Sequence, residues 1–461
     1  MGAQDVSAEL RGRVRGRVIC PEDAGYDDAR RVWNGMIDRR PLAIVRAATT
    51  EDVAPVILTA RAAGLAIAIR GGGHNVAGNG TVDGGIVLDL GELDQVEVDV
   101  AAGTVRAGPG VTLGTLDRAT QAHGLAVPVG VISGTGVAGL TLGGGVGWLT
   151  RPYGLTVDNL LAAEVVTASG ELVHASTREN EDLLWGLSGG GGNFGVVTSF
   201  TFRAFPLGPS IFGGTFFYRR PRWAAALRAW AAWTAELPDA MTPIATILVP
   251  PADWELGEEP LLLLQFAWAD ADHAQGERVI APLRAAATPD VELVEPTTWL
   301  AWQSAADALF PKGVRAYWKN AGLGGLADDA IDALVGIAET LDWPGTGIDL
   351  HHMGGAFARV PEMATPFPDR SAAYWLNIYG FWRDPADDPA HIAWIRALAA
   401  AMEPFSTGGR YVNFLASETA GDRTAQALAV YGPQKLARLV ELKRRYDPDN
   451  VFRLNHNIPP G

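Results

Sequence analysis

Three consecutive glycines and a histidine interrupt this chain early, in Arg70-Gly71-Gly72-Gly73-His74-Asn75, with Gly78, Gly80, Gly84 and Gly85 close behind. The run Leu65 to Ile69 just before them alternates apolar and small residues and predicts the end of a buried strand. Glycine reaches positive φ without a steric penalty and carries no side chain. A strand ending in such a turn can therefore lay backbone N–H groups against something flat or anionic. A histidine directly after the turn points toward whatever the turn holds. The alternative is a tight β-turn with an incidental histidine.

Two further glycine concentrations bear on that choice. Gly130, Gly134, Gly136, Gly139, Gly143, Gly144, Gly145 and Gly147 crowd one stretch, which contains a literal GxGxxG at Gly134-Thr135-Gly136-Val137-Ala138-Gly139. As a dinucleotide fingerprint this is weak, because the motif should open a long helix and Gly143 to Gly145 oppose one. The stretch predicts a glycine-lined backbone surface instead, with close packing of loop on sheet as the alternative. A third group, Gly189-Gly190-Gly191-Gly192-Asn193-Phe194-Gly195, runs into the apolar strand Val196 to Phe202.

The chain around these groups reads as α/β or α+β. Residues 1–40 suggest a helix and connector, and Arg40 to Val45 a strand. Thr49 or Thr50 can cap a helix running to about Ala63, with Glu51 and Asp52 in its favourable first turn. Ile86–Leu90, Val96–Asp99 and Thr104–Ala107 suggest a small antiparallel or mixed sheet, and Leu113–His123 an amphipathic helix closed by Gly124. Composition shifts near Leu207-Gly208-Pro209. Beyond it, helices are expected at Trp223–Leu237, Ala271–Ala287, Ala327–Leu341 and Pro389–Met402. They alternate with strands at Ile211–Tyr218, Ile244–Val249, Pro260–Ala269, Gly347–Met353 and Tyr374–Trp382, which suggests one sheet with helices over one face.

At 461 residues the chain exceeds one ordinary core, so two domains or one large assembly are expected. Acids outnumber bases 52 to 37, a net charge of −15, and the basic residues form no stripe, which argues against nucleic acid as a partner. No apolar run is long enough to cross a bilayer, and Met1 to Arg17 lacks the apolar centre of a signal peptide, so a cytoplasmic location is expected. The single cysteine, Cys20, excludes an internal disulfide and a cysteine-based metal site, and no metal is expected. Oligomeric state leaves no signature.

Taken in order, six pieces form a specific set: Arg70-Gly71-Gly72-Gly73-His74; Gly143-Gly144-Gly145-Val146-Gly147-Trp148; Arg151-Pro152-Tyr153-Gly154-Leu155-Thr156-Val157-Asp158-Asn159; Gly189 to Thr198; Tyr411-Val412-Asn413; and Tyr446-Asp447-Pro448 with Asn455-His456-Asn457-Ile458. From about residue 41 to the C-terminus the set resembles the berberine-bridge-enzyme-like branch of the FAD-linked oxidases, in the vanillyl-alcohol oxidase/p-cresol methylhydroxylase superfamily. The resemblance implies an α+β, two-domain FAD-binding fold of the vanillyl-alcohol oxidase type. Residues 1–207 would begin the FAD-binding domain. Residues 208–414 would form a substrate-binding domain with an antiparallel sheet covered by helices, and residues 415–461 would return to the FAD-binding domain.

The resemblance also implies FAD bonded covalently through His74 to the 8α position of its ring. Relatives with a second link carry a cysteine on the loop matching Gly130-Val131-Ile132-Ser133-Gly134; here that position reads Ile132, so no cysteinyl link is expected. Further cofactor contacts are implied for Arg70, Gly71, Gly72, Gly73, Asn75, Gly78, Ser133, Gly134, Thr135, Gly136, Gly139, Gly143, Gly144, Gly147, Tyr153 and Asp158. Gly192, Asn193, Gly195, Val197, Asn413, Asn455 and Asn457 complete the set. The physical chemistry agrees, since a pyrophosphate can be held by glycine-turn N–H groups without a basic side chain for each charge.

Hydride leaves an alcohol or amine carbon more easily as the neighbouring O–H or N–H proton departs. The family often uses a tyrosine in a Tyr-x-Asn motif for that proton, and Tyr411-Val412-Asn413 matches it, making Tyr411 the candidate base and Asn413 its companion. A free tyrosine titrates near pH ~10, so a partner is expected to stabilise its phenolate. Candidates for that partner, or for substrate contacts, are Asn377, Tyr379, His351 and His352. Adjacent strand residues face opposite ways, so at most one of the two histidines should reach a cavity. The tryptophans Trp223, Trp230, Trp233, Trp268, Trp299, Trp302, Trp318, Trp375 and Trp382 offer stacking surfaces, although most are expected in the core. The expected function is an FAD-dependent oxidase or dehydrogenase taking hydride from a CH–OH or related carbon of a sugar, alcohol or specialised metabolite. Molecular oxygen is the expected acceptor, with a quinone or a carrier protein as the alternative. The alternatives are a flavin-carrying binding or sequestration protein and an oxidative cyclase of secondary metabolism.

Overall fold

A computed structural model describes residues 2–416 and 423–461. It contains three substantial sheets. The first is four-stranded, with Ala43–Arg46, Ile86–Asp89 and Ile67–Arg70 parallel and Arg17–Ile19 antiparallel at one edge. Helix Val53–Ala62 connects its parallel strands and buries Val53, Val56, Ile57 and Ala60 with Val6 and Leu10 of helix Ala3–Arg13. Ile86–Asp89 thus belongs to this sheet, between two parallel neighbours, and not with the two strands that follow it in sequence. Its four residues are all buried, as expected of a central parallel strand.

The second sheet is five-stranded and antiparallel, in the order Val96–Asp99, Thr104–Ala107, Val196–Arg203, Leu160–Val166, Leu172–Ser176. Because Val196–Arg203 is central, the third glycine group is delivered to the middle of the sheet's end. The GxGxxG does open a helix, Val137–Gly143, but a short one that Gly144 ends at φ 140°, and residues 127–136 before it are not a strand. The dinucleotide-fingerprint reading therefore lacks both of its required neighbours.

The third sheet has seven antiparallel strands: Val291–Thr298, Ser210–Arg219, Leu261–Trp268, Met241–Leu248, Gly347–His352, Tyr374–Trp382 and Arg315–Leu323. Helices Trp223–Thr234, His273–Ala286, Asp328–Ala338 and Asp388–Met402 share an apolar core with it. Two of its strands, Val291–Thr298 and Arg315–Leu323, go beyond the sequence expectation. The first is an exposed edge strand containing Pro296; in the second, Lys319, Asn320 and Gly322 break the apolar run. Residues 423–446 form the last helix, with a break at Gly432. The link expected to begin the C-terminal return includes residues 417–422, which lie outside the described residues. No helix among the described residues is long and apolar enough to cross a membrane.

Candidate active site

One cleft is bounded by all three glycine groups, one face of the seven-stranded sheet and the C-terminal tail. Arg70, Gly71–Gly73, His74 and Asn75 line it from the end of a parallel strand. Ile132, Thr135, Gly136, Gly139 and Gly143 line it from the second group, and Gly192, Asn193, Gly195 and Val197 from the third. Backbone packs on backbone where the first two groups meet: a Cβ on Gly72 would lie 2.6 Å from the Gly136 Cα. A Cβ on Gly139 would meet nothing within 4 Å, so this glycine opens onto cleft space. Arg70 bonds Asp89 through Nη2 at 2.8 Å, while its buried Nη1 has no partner. Asn455 Oδ1, in the tail, is likewise buried and unpartnered. Unmet polar atoms along a glycine-walled cleft fit a polar ligand of dinucleotide size, because burying such groups without a partner is costly.

His74 enters the cleft from the glycine turn, where Gly73 sits at φ 67°. Its imidazole stacks on the Trp33 indole at a centroid distance of 4.5 Å and an interplanar angle of 20°. Burial pushes its pKa down to about 4, so the ring is neutral at pH 7. No sequence signal joins Trp33 to the turn, since the contact spans two separate parts of the chain.

Tyr411 is 1% exposed and lines the cleft with Asn413. Its Oη accepts from the Gly145 N–H at 2.8 Å and from Asn413 Nδ2 at 2.9 Å. The same Asn413 amide donates to the Leu140 carbonyl at 3.1 Å, which fixes its orientation. Gly143 is required for that approach, because a Cβ there would lie 2.3 Å from Asn413 Oδ1. Behind the ring, Asn320 exchanges hydrogen bonds with the Tyr411 backbone at 2.7 and 3.2 Å. Burial raises the phenol to about 12 against the opposing pull of N–H donors from Gly145, Asn413 and Val146. The groups that stabilise a phenolate here are thus these three; the four substrate-half residues, named for that task or for substrate contacts, are not among them.

Those four residues divide by strand parity. Asp349 and His351 share the cleft face of Gly347–His352, and Asn377 stands opposite Asp349 in register. His352 is a correction: it points to the other face, where Nδ1 lies 3.2 Å from Arg151 Nη1, and burial with that guanidinium lowers its pKa to about 3. His351, held at about 4 by burial, is the histidine at the cleft. Tyr379 does not line the cleft; its hydroxyl donates to Asp349 Oδ1 at 3.3 Å. Thr246 donates to the same oxygen at 2.8 Å, yet burial still pushes Asp349 up to about 7. Asn377 Oδ1 is buried and unpartnered. Thr246, Asp349, Asn377 and Asn320 fall in register on four neighbouring strands, making a polar band across an otherwise apolar sheet. Asp349 goes beyond the sequence expectation: it precedes His351 by two residues and so shares its face, but an acid on such a strand reads as solvent-facing from the sequence.

Several expected cofactor contacts lie outside the cleft lining. Gly78 packs against Ile37, and Gly147 against the Val129 carbonyl. Gly144 packs against Phe367 and Tyr411, behind the cleft wall. The Ser133 N–H donates to Asp307, and Gly134 faces open space on the same loop. Tyr153 stacks on Phe205 at 4.0 Å. Asn457 is buried in the tail beside the cleft, with Oδ1 unpartnered. Of the nine tryptophans named from the sequence, Trp318 is the one lining the cleft among the described residues.

Asp158 is engaged elsewhere, in a bidentate pair with Arg370 at 2.9 and 2.6 Å, with both side chains almost fully buried. Replacing it with asparagine leaves the guanidinium buried without a counter-charge. The expected outcome is a loss of about 3–5 kcal/mol in urea unfolding with the visible spectrum of the native protein unchanged.

The family described as FAD binding domain matches residues 41–176, and the family described as berberine and berberine like matches residues 410–459. The chain is 31% identical over 457 residues to (R)-6-hydroxynicotine oxidase of Paenarthrobacter nicotinovorans, covering 97% of each protein. Its fold superposes on BBE-like 1 of Physcomitrella patens with a TM-score of 0.89 at 23% identity, covering 100% of both chains. Glucooligosaccharide oxidase of Acremonium strictum, described with a 6-S-cysteinyl, 8α-N1-histidyl FAD, superposes with a TM-score of 0.86 at 25% identity over 99% of both chains.

Proposed function

Because the chain belongs to the berberine-bridge-enzyme-like FAD-linked oxidoreductases of the vanillyl-alcohol oxidase family, we propose that it oxidises a CH–OH or related carbon of a small, polar molecule, with Tyr411 as the base. FAD supplies the electron-accepting chemistry when bound, and molecular oxygen is the acceptor that the oxidase names of the relatives favour. The observation that carries the reading is the Tyr411 Oη in the cleft, held by the Gly145 N–H and the Asn413 amide. These donors stabilise the phenolate that forms when the hydroxyl proton leaves, and it is this phenolate that takes a proton from a substrate hydroxyl or amine. Asp349 and Asn377 line the cleft and give such a substrate hydrogen-bonding partners, with Thr246 holding Asp349 from behind, and aromatic rings pack around the buried Tyr411. A substrate with several hydroxyls, or a hydroxylated amine, matches that band. Bleaching of the yellow chromophore during anaerobic screening of sugars, alcohols and alkaloids tests the class; a chain inert to all three is not this enzyme.

The cofactor is bonded at His74 alone in this reading. The neutral imidazole at the cleft supports it, as does the histidyl link named for the Acremonium relative. That relative's cysteinyl link has no counterpart here: Ile132 lines the cleft, and Cys20 is buried against Ser7. Acid precipitation should give a yellow pellet from the parent and a colourless one from His74→Ala. A yellow His74→Ala pellet sinks the assignment.

A further inference from the structure

We propose that Trp33 is the positioning residue for cofactor attachment, its indole fixing the plane of the His74 imidazole so that one ring nitrogen faces the bonding carbon. The inference rests on the reading that His74 carries the covalent link. Attachment replaces a C–H bond of the ring methyl group by a C–N bond. The proton from the carbon, the imidazole N–H proton and the electron pair of the broken C–H bond pass in sum to molecular oxygen, giving hydrogen peroxide. The protein's part is to present a neutral imidazole in one orientation.

The His74 ring bonds its own backbone; among the described residues no other residue's side chain hydrogen-bonds it, and its aromatic partner is Trp33, at 4.5 Å and 20°. That one local bond restrains a single ring nitrogen, and the flat indole is what fixes the plane of the ring, which χ2 would otherwise vary. Trp33 is itself locked from several sides. Its N–H donates to the Gly73 carbonyl at 3.0 Å, and its carbonyl accepts from Gly313 at 2.9 Å. The indole meets Trp318 and Phe381 edge-on at 5.8 and 5.5 Å, and Nε1 donates to the Phe310 carbonyl at 3.4 Å. Next to it, Asn34 Nδ2 donates to the carbonyls of Val76 and Ala316 at 2.7 and 2.9 Å, while Oδ1 accepts from the Ala316 N–H at 3.1 Å. Residues 33–34 therefore tie the histidine turn to strand Arg315–Leu323 of the seven-stranded sheet. The imidazole reaches its bonding orientation only when that sheet has docked, so attachment reports assembly of both halves of the cleft.

The test compares the parent, Trp33→Leu and Trp33→Phe, each prepared without FAD and then mixed with it. Bonded flavin is followed by in-gel fluorescence after denaturation, and unbonded binding by absorbance of the native protein. The expected result is an initial attachment rate at least about tenfold lower in Trp33→Leu, with FAD still bound, and rescue of most of the rate by the flat ring in Trp33→Phe. Should Trp33→Leu not fold, Trp33→Met against Trp33→His makes the same comparison of a flexible chain with a flat ring. Equal attachment rates in folded variants with and without the ring overturn the inference while leaving the His74 link standing. A parent that never bonds flavin overturns both.

Discussion

Tyr411→Phe should cut the rate of anaerobic flavin bleaching by about 10²–10⁴-fold while FAD stays bound, the range by which a positioned general base speeds a reaction. The substitution removes one oxygen from a ring that is otherwise held by packing against Phe367, Trp375 and Phe414. The ring should therefore stay in place, and the loss should appear in the reduction rate and not in cofactor retention. A stability cost accompanies it, because the Gly145 N–H and one Asn413 proton lose their acceptor in a buried site. That cost is about 1–3 kcal/mol and is read separately from the melting curve. The pH dependence gives an independent check. With burial holding the phenol near about 12, it is protonated at neutral pH, and the fraction able to accept a proton rises as pH rises toward that value. The parent's reduction rate should climb with alkalinity, and the phenylalanine variant should lose that climb. A variant that bleaches as fast as the parent removes Tyr411 from the chemistry.

The readable parts of this site are those whose physical demands are local. A backbone that turns back on itself within three residues needs glycine, so the stretches bordering the cleft announce themselves in the sequence. The alternation of a strand likewise says that His351 and His352 face opposite ways. It does not say which faces the cleft; that depends on register with Met241–Leu248, which sets Thr246 beside Asp349 and Ile244 beside His351. Asp349 escaped because an acid on an apolar strand reads as solvent-facing until its neighbours Thr246 and Tyr379 are in view. Trp33 escaped for a stronger reason: its stack on His74 exists only in the assembled fold. Strand Arg315–Leu323 was unreadable because Asn320, which spoils its apolar pattern, is satisfied by the backbone of Tyr411, far along the chain. Expected contacts such as Asp158 and Tyr153 came from the family resemblance, whose motif covers them, and not from a local physical demand. The fold spends them on an ion pair and a ring stack instead.

Lys443→Met should destabilise the protein by about 3–5 kcal/mol and loosen its hold on FAD, although Lys443 does not line the cleft. The ammonium is fully buried with its partner Asp447, both side chains at 0% exposure, and Nζ lies 2.6 Å from Oδ2. It also donates to the carbonyls of Asn193 and Phe452 at 2.8 and 2.9 Å. Asp447 in turn accepts from the N–H groups of Val451 and Phe452 at 2.8 and 2.9 Å, bending the chain after the last helix. Asn193 completes the connection, since Nδ2 donates to the His456 carbonyl at 3.2 Å and Oδ1 accepts from Ile458 at 3.1 Å. One charge pair thus joins the third glycine group to the tail that brings Asn455 and His456 to the cleft. Methionine fills much of the lysine's volume, so the damage is electrostatic: a carboxylate is left buried without a counter-charge, and two carbonyls lose a donor. Asp447→Asn in the same chain removes that stranded charge, and the double variant should regain part of the loss, the non-additivity expected of residues in contact. The measurements are denaturant unfolding and the FAD affinity of apoprotein, for both single variants and the pair. If Lys443→Met unfolds at the parent's midpoint, or the double variant shows strict additivity, the pair is not what fastens the tail.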